Sequence, residues 1–367
     1  MKVLDFNFIY TNPIPQLKSR QSMFPCLFKL PDGKLGAIHV IGEAFESADR
    51  VCYISFSDDE GKTWSAPREM YDKMNFKKPF SHSSKAVCLP DGKLISIGYG
   101  FYRGDSEKPV GNPTTGGLLD DIVFYSISED QGKTWSEPCE IACSWGPHVE
   151  ASAPLTHLHS GALATPITGF PDWDGNMTGP RCGRLLRSDD GGRTWSDSVV
   201  CMEFQGNNVT CYEQRICQTD SGAIVCIGWN ENVETGERLP NHYTYSLDDG
   251  KTWSVPESTG IMGQASSVCS IGGEKILALH SIRRDTDRPG IYGYIVDFSE
   301  RNWKITDKCI LWEPDFQIKK DKNMAEIFAF LKFGQPSAIM LNDSKALMTF
   351  WYAEQGQYKT VAAKLKL

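Results

Sequence analysis

Three carboxylates in this 367-residue chain, Asp49, Glu150 and Glu213, stand in irregular stretches among residues able to hold a polar ligand. The latter are His82, His148, Tyr212, Arg215, Arg283, Arg284 and Gln335. Two carboxyl groups in unlike surroundings can divide acid and base work, because burial keeps one protonated while the other stays ionised. Most enzymes that cleave glycosidic bonds use such a pair, and the separation of the two groups sets retention or inversion. A concave site of carboxylates, guanidinium groups and rings suits a carbohydrate. Bland readings stand beside these: Glu213 with Arg215, and Asp49 with Arg50, also read as simple ion pairs. Arg283 and Arg284 are adjacent, so on a strand only one of them points inward. His82, His148, His242 and His280 lack metal-ligand spacing, and no CxxC pair is present, so neither a metal nor another cofactor is expected.

The elements that must position these residues are set by repeats. Ser57-Asp58-Asp59-Glu60-Gly61-Lys62-Thr63-Trp64 recurs as Ser128 to Trp135, Ser188 to Trp195 and Ser246 to Trp253, all fitting S-x-D-x-G-x-T-W. A degraded fifth copy runs from Val296 to Trp303. A second repeat precedes them: Leu30-Pro31-Asp32-Gly33-Lys34-Leu35 returns as Leu89 to Leu94, and more loosely as Leu158 to Leu163 and Thr219 to Ile224. Weaker echoes lie at Ile271 to Ile276 and Leu341 to Ala346. Asp-Gly or Ser-Gly between apolar runs marks a tight turn, since glycine accepts positive φ and aspartate bonds its own backbone. Each unit thus reads strand, tight turn, strand, variable loop, strand, octapeptide turn, strand. Six such units predict an all-β six-bladed β-propeller with four antiparallel strands per blade, a single domain over residues 1–367. The alternating stretch Val3 to Ile9 is expected to join the last blade and close the ring.

Both repeated turns fall on one face of such a ring, where the aspartates and tryptophans of the octapeptides serve as scaffold. The other face collects the irregular loops, at roughly 42–50, 99–121, 168–182, 229–241, 281–290 and 352–358. Variable loops on a rigid frame carry function, and the innermost strands begin at the same mouth. The candidate residues named above gather there.

The octapeptide is the Asp-box, and over nearly its whole length the chain resembles the sialidase superfamily. That resemblance implies three arginines clamping a substrate carboxylate, a tyrosine nucleophile activated by a glutamate, and an aspartate acid/base on a loop. Met23 stands where the first arginine opens an Arg-Ile-Pro stretch, and Gly228-Trp229-Asn230-Glu231 supplies no second one. Ser281-Ile282-Arg283-Arg284 supplies the third. Gln335 occupies the tyrosine position, while Glu213 matches the glutamate and Asp49 the acid/base. Ordinary sialidase activity is therefore not expected. The text Gly263-Gln264 to Arg284, and Gly334-Gln335-Pro336-Ser337 to Trp351-Tyr352, resembles a sialidase-like branch with a carbohydrate site. The expectation is an exo-acting glycoside hydrolase working on a small oligosaccharide at the channel mouth, with Asp49, Glu150 and Glu213 as catalytic candidates. The rival is a carbohydrate-binding propeller without catalysis.

Composition removes other classes. With 40% hydrophobic and 11% aromatic residues a large core is available, which excludes disorder. The 38 basic against 46 acidic residues, without a basic cluster, disfavour nucleic acid and anionic membranes as partners. No apolar run approaches the roughly 20 residues needed to span a bilayer, and the amino-terminal stretch lacks the marks of a signal peptide. The twelve cysteines read as small apolar residues of a reduced, cytoplasmic protein.

Overall fold

The computed structural model describes residues 1–71, 80–315 and 331–367. Alternating apolar patterns between the two kinds of turn fold into six sheets, each a meander read from the channel outward. Blade one holds β2 (Gln21–Lys29), β3 (Leu35–Gly42), β4 (Val51–Ser57) and β5 (Arg68–Glu69). Blade two holds β6 (Phe80–Cys88), β7 (Leu94–Tyr102), β8 (Asp121–Ser128) and β9 (Cys139–Ile141). In blade three the inner position is split between β10 (Val149–Glu150) and β11 (Thr156–His157), both paired to β12 (Leu163–Gly169). There β13 (Cys182–Ser188) and β14 (Ser196–Glu203) follow outward. Blade four comprises β15 (Tyr212–Gln218), β16 (Ile224–Trp229), β17 (His242–Ser246) and β18 (Glu257–Ser258). Blade five comprises β19 (Ser266–Ser270), β20 (Lys275–Ile282), β21 (Gly290–Asp297) and β22 (Lys304–Trp312). Blade six holds β23 (Phe333–Asn342), β24 (Lys345–Glu354) and β25 (Gln357–Lys366), and its fourth strand is β1 (Lys2–Tyr10). The expected closure is thus present: β1 runs antiparallel to β25, with Phe8 opposite Val361.

Middle strands are buried on both faces, as in β3 and β20, because each blade is packed between two others. The octapeptide turns seal those contacts. Ser57 Oγ accepts the Gly61 N–H at 2.9 Å and donates to Asp59 Oδ1, while Asp59 accepts both the Thr63 N–H at 2.9 Å and its hydroxyl at 2.7 Å. Asp130, Asp190 and Asp248 repeat this arrangement. Gly61 has φ +84°, and a Cβ there would lie 2.9 Å from Leu347 of blade six. Gly250 stands 2.9 Å from Leu185 of blade three in the same sense. The glycine both permits the turn and lets it press on the preceding blade. Among the described residues there is no helix, so none is long and apolar enough to cross a membrane.

Candidate functional site

Three inner strands share one irregularity at their channel ends. Pairing of β2 with β3 shifts between Met23 and Cys26, that of β15 with β16 between Tyr212 and Arg215, and that of β23 with β24 between Gly334 and Ser337. Inside these bulges Phe24, Glu213 and Gln335 have φ of 55°, 45° and 48°. A bulge with a left-handed residue re-aims its side chain, and all three line one cavity of about 190 Å³ on the face away from the octapeptide turns. Met23 is instead sunk in the packed layer with Phe28, Ile38 and Val40. The channel position on blade one therefore belongs to Phe24.

At the cavity floor two carboxylates meet. Glu150 Oε2 accepts the Glu213 backbone N–H at 2.8 Å, and Glu150 Oε1 accepts the Ser152 hydroxyl. Arg215 is buried behind them, donating to Ser152 Oγ at 3.1 Å and to the Gln214 carbonyl at 2.7 Å. Glu213 Oε1 accepts the Gln335 amide at 2.5 Å across the channel. Burial, and next the nearby Glu213 charge, push the Glu150 carboxyl up to about 7. A group so placed exchanges its proton near neutral pH, as an acid catalyst must.

Cations complete the floor and wall. Lys85 donates to the carbonyls of Phe24 and Pro25, and burial brings its ammonium down to about 8. Arg50 lies over the Phe24 ring at 5.1 Å and donates to the Phe45 carbonyl at 2.9 Å. Arg283 faces the cavity, donating to the Phe333 carbonyl at 3.2 Å. Arg284 turns away to Glu231 at 2.8 Å, so one of the pair faces the cavity, although both lie past the end of β20 and strand alternation does not set the division.

Of the sequence candidates, Glu150, Glu213, Tyr212, Arg283 and Gln335 line this cavity, and Arg215 supports it from behind. The other four do not line it. Asp49 is exposed and accepts the Glu43 N–H at 3.1 Å, stapling its own loop. Its neighbour Glu46 enters the cavity instead, with its carboxyl raised by burial. His82 is packed against Cys52 with Nδ1 3.2 Å from Sγ, and burial lowers its imidazole to about 3. His148 stands 3.9 Å from Asp120, and Arg284 is the fourth. Sequence reasoning passed over Lys85, Ser152, Tyr99 and the ring residues Phe24, Phe45, Trp229 and Trp351. Lys85 had a legible signal, since strand alternation puts it on one face with Ser83, and both line the cavity. The described residues contain no group of three or more His, Cys, Asp or Glu that could hold a metal ion.

The chain is similar over 100% of its length to a solved structure of a Dyadobacter fermentans protein of unknown function, covering 99% of that chain with 18% identity and a TM-score of 0.77. It also matches a Hadza microbial sialidase, Hz136, over 94% of its own length and 66% of that chain, with 16% identity and a TM-score of 0.67. The NanB sialidase of Streptococcus pneumoniae is matched over 99% of this chain and 70% of that one, at 13% identity and a TM-score of 0.67. The fold is that of the sialidase propellers. No protein-family model and no curated protein sequence matches the chain. At such identities a sialidase-like propeller is shared architecture, and function has to be argued from the site.

Proposed function

We propose that this sialidase-like propeller is a glycoside hydrolase acting on a short glycoside at the channel mouth, and that it is not an ordinary sialidase. The carrying observation is the pair Glu150 and Glu213 at the cavity floor, one carboxyl raised to about 7 and directly bonded to the backbone of the other. In this reading Glu150 gives its proton to the glycosidic oxygen as the bond to the anomeric carbon breaks. Glu213, oriented by Gln335, faces the anomeric carbon as base toward water or as nucleophile. Water supplies the hydroxyl of the released sugar, and its remaining proton restores Glu150 or passes to solvent. Asp49, exposed and tied to Glu43, has no part in this scheme. The sialidase clamp is not rebuilt: Met23 is buried in the packed layer, and of the three clamp positions only that of Arg283 brings an arginine to the wall.

One observation favours a second reading, sugar binding without turnover: Glu213 Oε1 is already engaged by an amide where the sialidase resemblance expects a tyrosine. As for the compartment, all twelve cysteines are free, which supports a reducing cytoplasm.

The test is hydrolysis of a panel of aryl glycosides, a sialoside included, by wild type, Glu150→Gln and Glu213→Gln. Turnover of one neutral member that falls at least about a hundredfold in both variants supports the reading. Equal rates in all three proteins remove the pair from the mechanism. Silence across the panel, with sugars still raising the melting temperature, selects the binding reading.

A further inference from the structure

The walls of the cavity have a character that its floor does not share. On one side Phe24, Phe45 and Trp351 form a cluster, with centroids 5.4 Å apart for Phe24–Phe45 and 5.5 Å for Phe45–Trp351. On the other an unbroken arc runs through blades two, three and four. Tyr99 meets Phe101 at 5.6 Å, Phe101 stacks on Phe170 at 6.4 Å, Phe170 meets Tyr212 at 6.4 Å, and Tyr212 meets Trp229 at 6.0 Å. All eight rings line the same cavity.

Its charged groups match in number. Three carboxylates, Glu46, Glu150 and Glu213, face three cations, Arg50, Lys85 and Arg283. Each cation already donates to a backbone carbonyl, of Phe45, of Phe24 and Pro25, and of Phe333 respectively. With Glu150 holding its proton one cation is in excess, but a ligand carboxylate or phosphate would still have to draw a cation away from the carbonyl it already serves. By contrast, two buried donors on lining residues, Arg50 Nε and Trp351 Nε1, carry no hydrogen bond. Such donors suit neutral oxygen acceptors. The volume of about 190 Å³ lies below the ~300–1,000 Å³ of pockets for drug-sized ligands, which suits a pair of rings better than a chain of sugars.

We infer that the site takes an uncharged glycoside with an aromatic aglycone, the sugar on the Glu150–Glu213 floor and the aromatic ring between the ring-lined walls. This rests on the carbohydrate reading above and narrows it. The leaving group would then be a phenol-type alcohol, which takes the proton from Glu150 as water adds to the anomeric carbon.

The experiment is calorimetric titration of wild type with matched probes: phenyl and methyl glycosides of glucose, galactose and mannose, phenyl glucuronide, and phenol alone. For at least one sugar, the phenyl glycoside is expected to bind about tenfold more tightly than its methyl counterpart, and more tightly than phenol or the glucuronide. Trp229→Ala should reduce the phenyl preference to within about twofold. Phe45→Ala, on the loop after β3, repeats the test should loss of Trp229 disturb blade four. Equal affinity of phenyl and methyl members overturns the aromatic part while the carbohydrate reading stands. Tighter binding of the glucuronide overturns the neutral part. Phenol binding as tightly as every phenyl glycoside overturns the inference and the carbohydrate reading together.

Discussion

The carboxylate of Glu150 is bonded at 2.8 Å to the backbone N–H of Glu213, so the two acidic groups of the floor share one mechanical support. That N–H is available because the β15 bulge takes Glu213 out of the ladder of β16. Blades three and four are thereby joined at the point where the proposed chemistry occurs.

A pH dependence follows from that burial. The Glu150 carboxyl rises from an ordinary 4.5 to about 7 in the folded chain. The folded state then keeps a proton that the unfolded state releases, so this group's contribution to stability is full below about pH 4.5 and is lost as pH rises through 7. Glu150→Gln should match wild type in urea unfolding at pH 4.5 and exceed it at pH 8, by an amount on the order of 3 kcal/mol at most. Wild-type turnover should also fall above pH 7. Identical pH profiles of stability in the two proteins would contradict the buried acid.

Gln335 tests the partner group separately. Asparagine tolerates the left-handed backbone found there, φ 48°, but its shorter side chain does not reach Glu213. Gln335→Asn should keep the melting temperature within about 2 °C, since no buried volume of consequence is lost. Turnover of the proposed reaction should drop about tenfold, equal to roughly 1.4 kcal/mol of barrier. Unchanged turnover would show that the amide plays no part.

Acid should act through the histidines. His39, His82 and His280 are each lowered from 6.5 to about 3 by burial. The unfolded chain takes up protons there that the folded chain refuses, so their contribution is whole above pH 6.5 and is lost as pH falls toward 3. His82→Gln should reduce the proton uptake on unfolding at pH 5 by about one. Potentiometric or calorimetric proton counts that do not differ would disprove it.

Gly61→Ala puts a methyl 2.9 Å from Leu347 at φ +84°, and should cost about 1–2 kcal/mol in urea unfolding without altering ligand affinity. Asp59→Asn should lower the melting temperature by weakening the charged acceptor that gathers the Thr63 amide and hydroxyl.

Ile9 probes the closure. It is buried with Leu27, Leu35, Leu347 and Ala362, so it ties β1 both into blade six and to blade one. Ile9→Ala should cost about 2–5 kcal/mol. A smaller loss than 1 kcal/mol would mean that the ring holds without this seam.

The architecture was legible because it is written in repeats: four octapeptides and the Asp-Gly turns mark strand ends almost to the residue, and the alternation of Val3 to Ile9 announced β1. The face was legible from topology alone. Within the site, Tyr212, Glu213 and Gln335 were found because they open inner strands at the mouth, whereas His82, near the start of β6, packs against Cys52 instead. Asp49 and Glu46 show the limit, since both sit on one loop and its turns decide which carboxylate enters the cavity. The bulges at Phe24, Glu213 and Gln335 were equally hidden. Proline follows two of the three, but no residue type marks a bulge by itself.

The pairing of β1 with β25 joins Val3 to Leu365, almost the full length of the chain apart. During synthesis β1 must therefore wait, with the exposed rings of Phe6 and Phe8 and the apolar side chain of Ile9 unpaired, until β25 has left the ribosome. The first five blades can form in turn from neighbouring segments, whereas the sixth is a late, long-range event. For that interval the chain is an open arc with two sticky ends, and a second chain at the same stage offers each end the partner it needs. Crowded synthesis should then yield exchanged rings, in which β1 of one chain completes blade six of another.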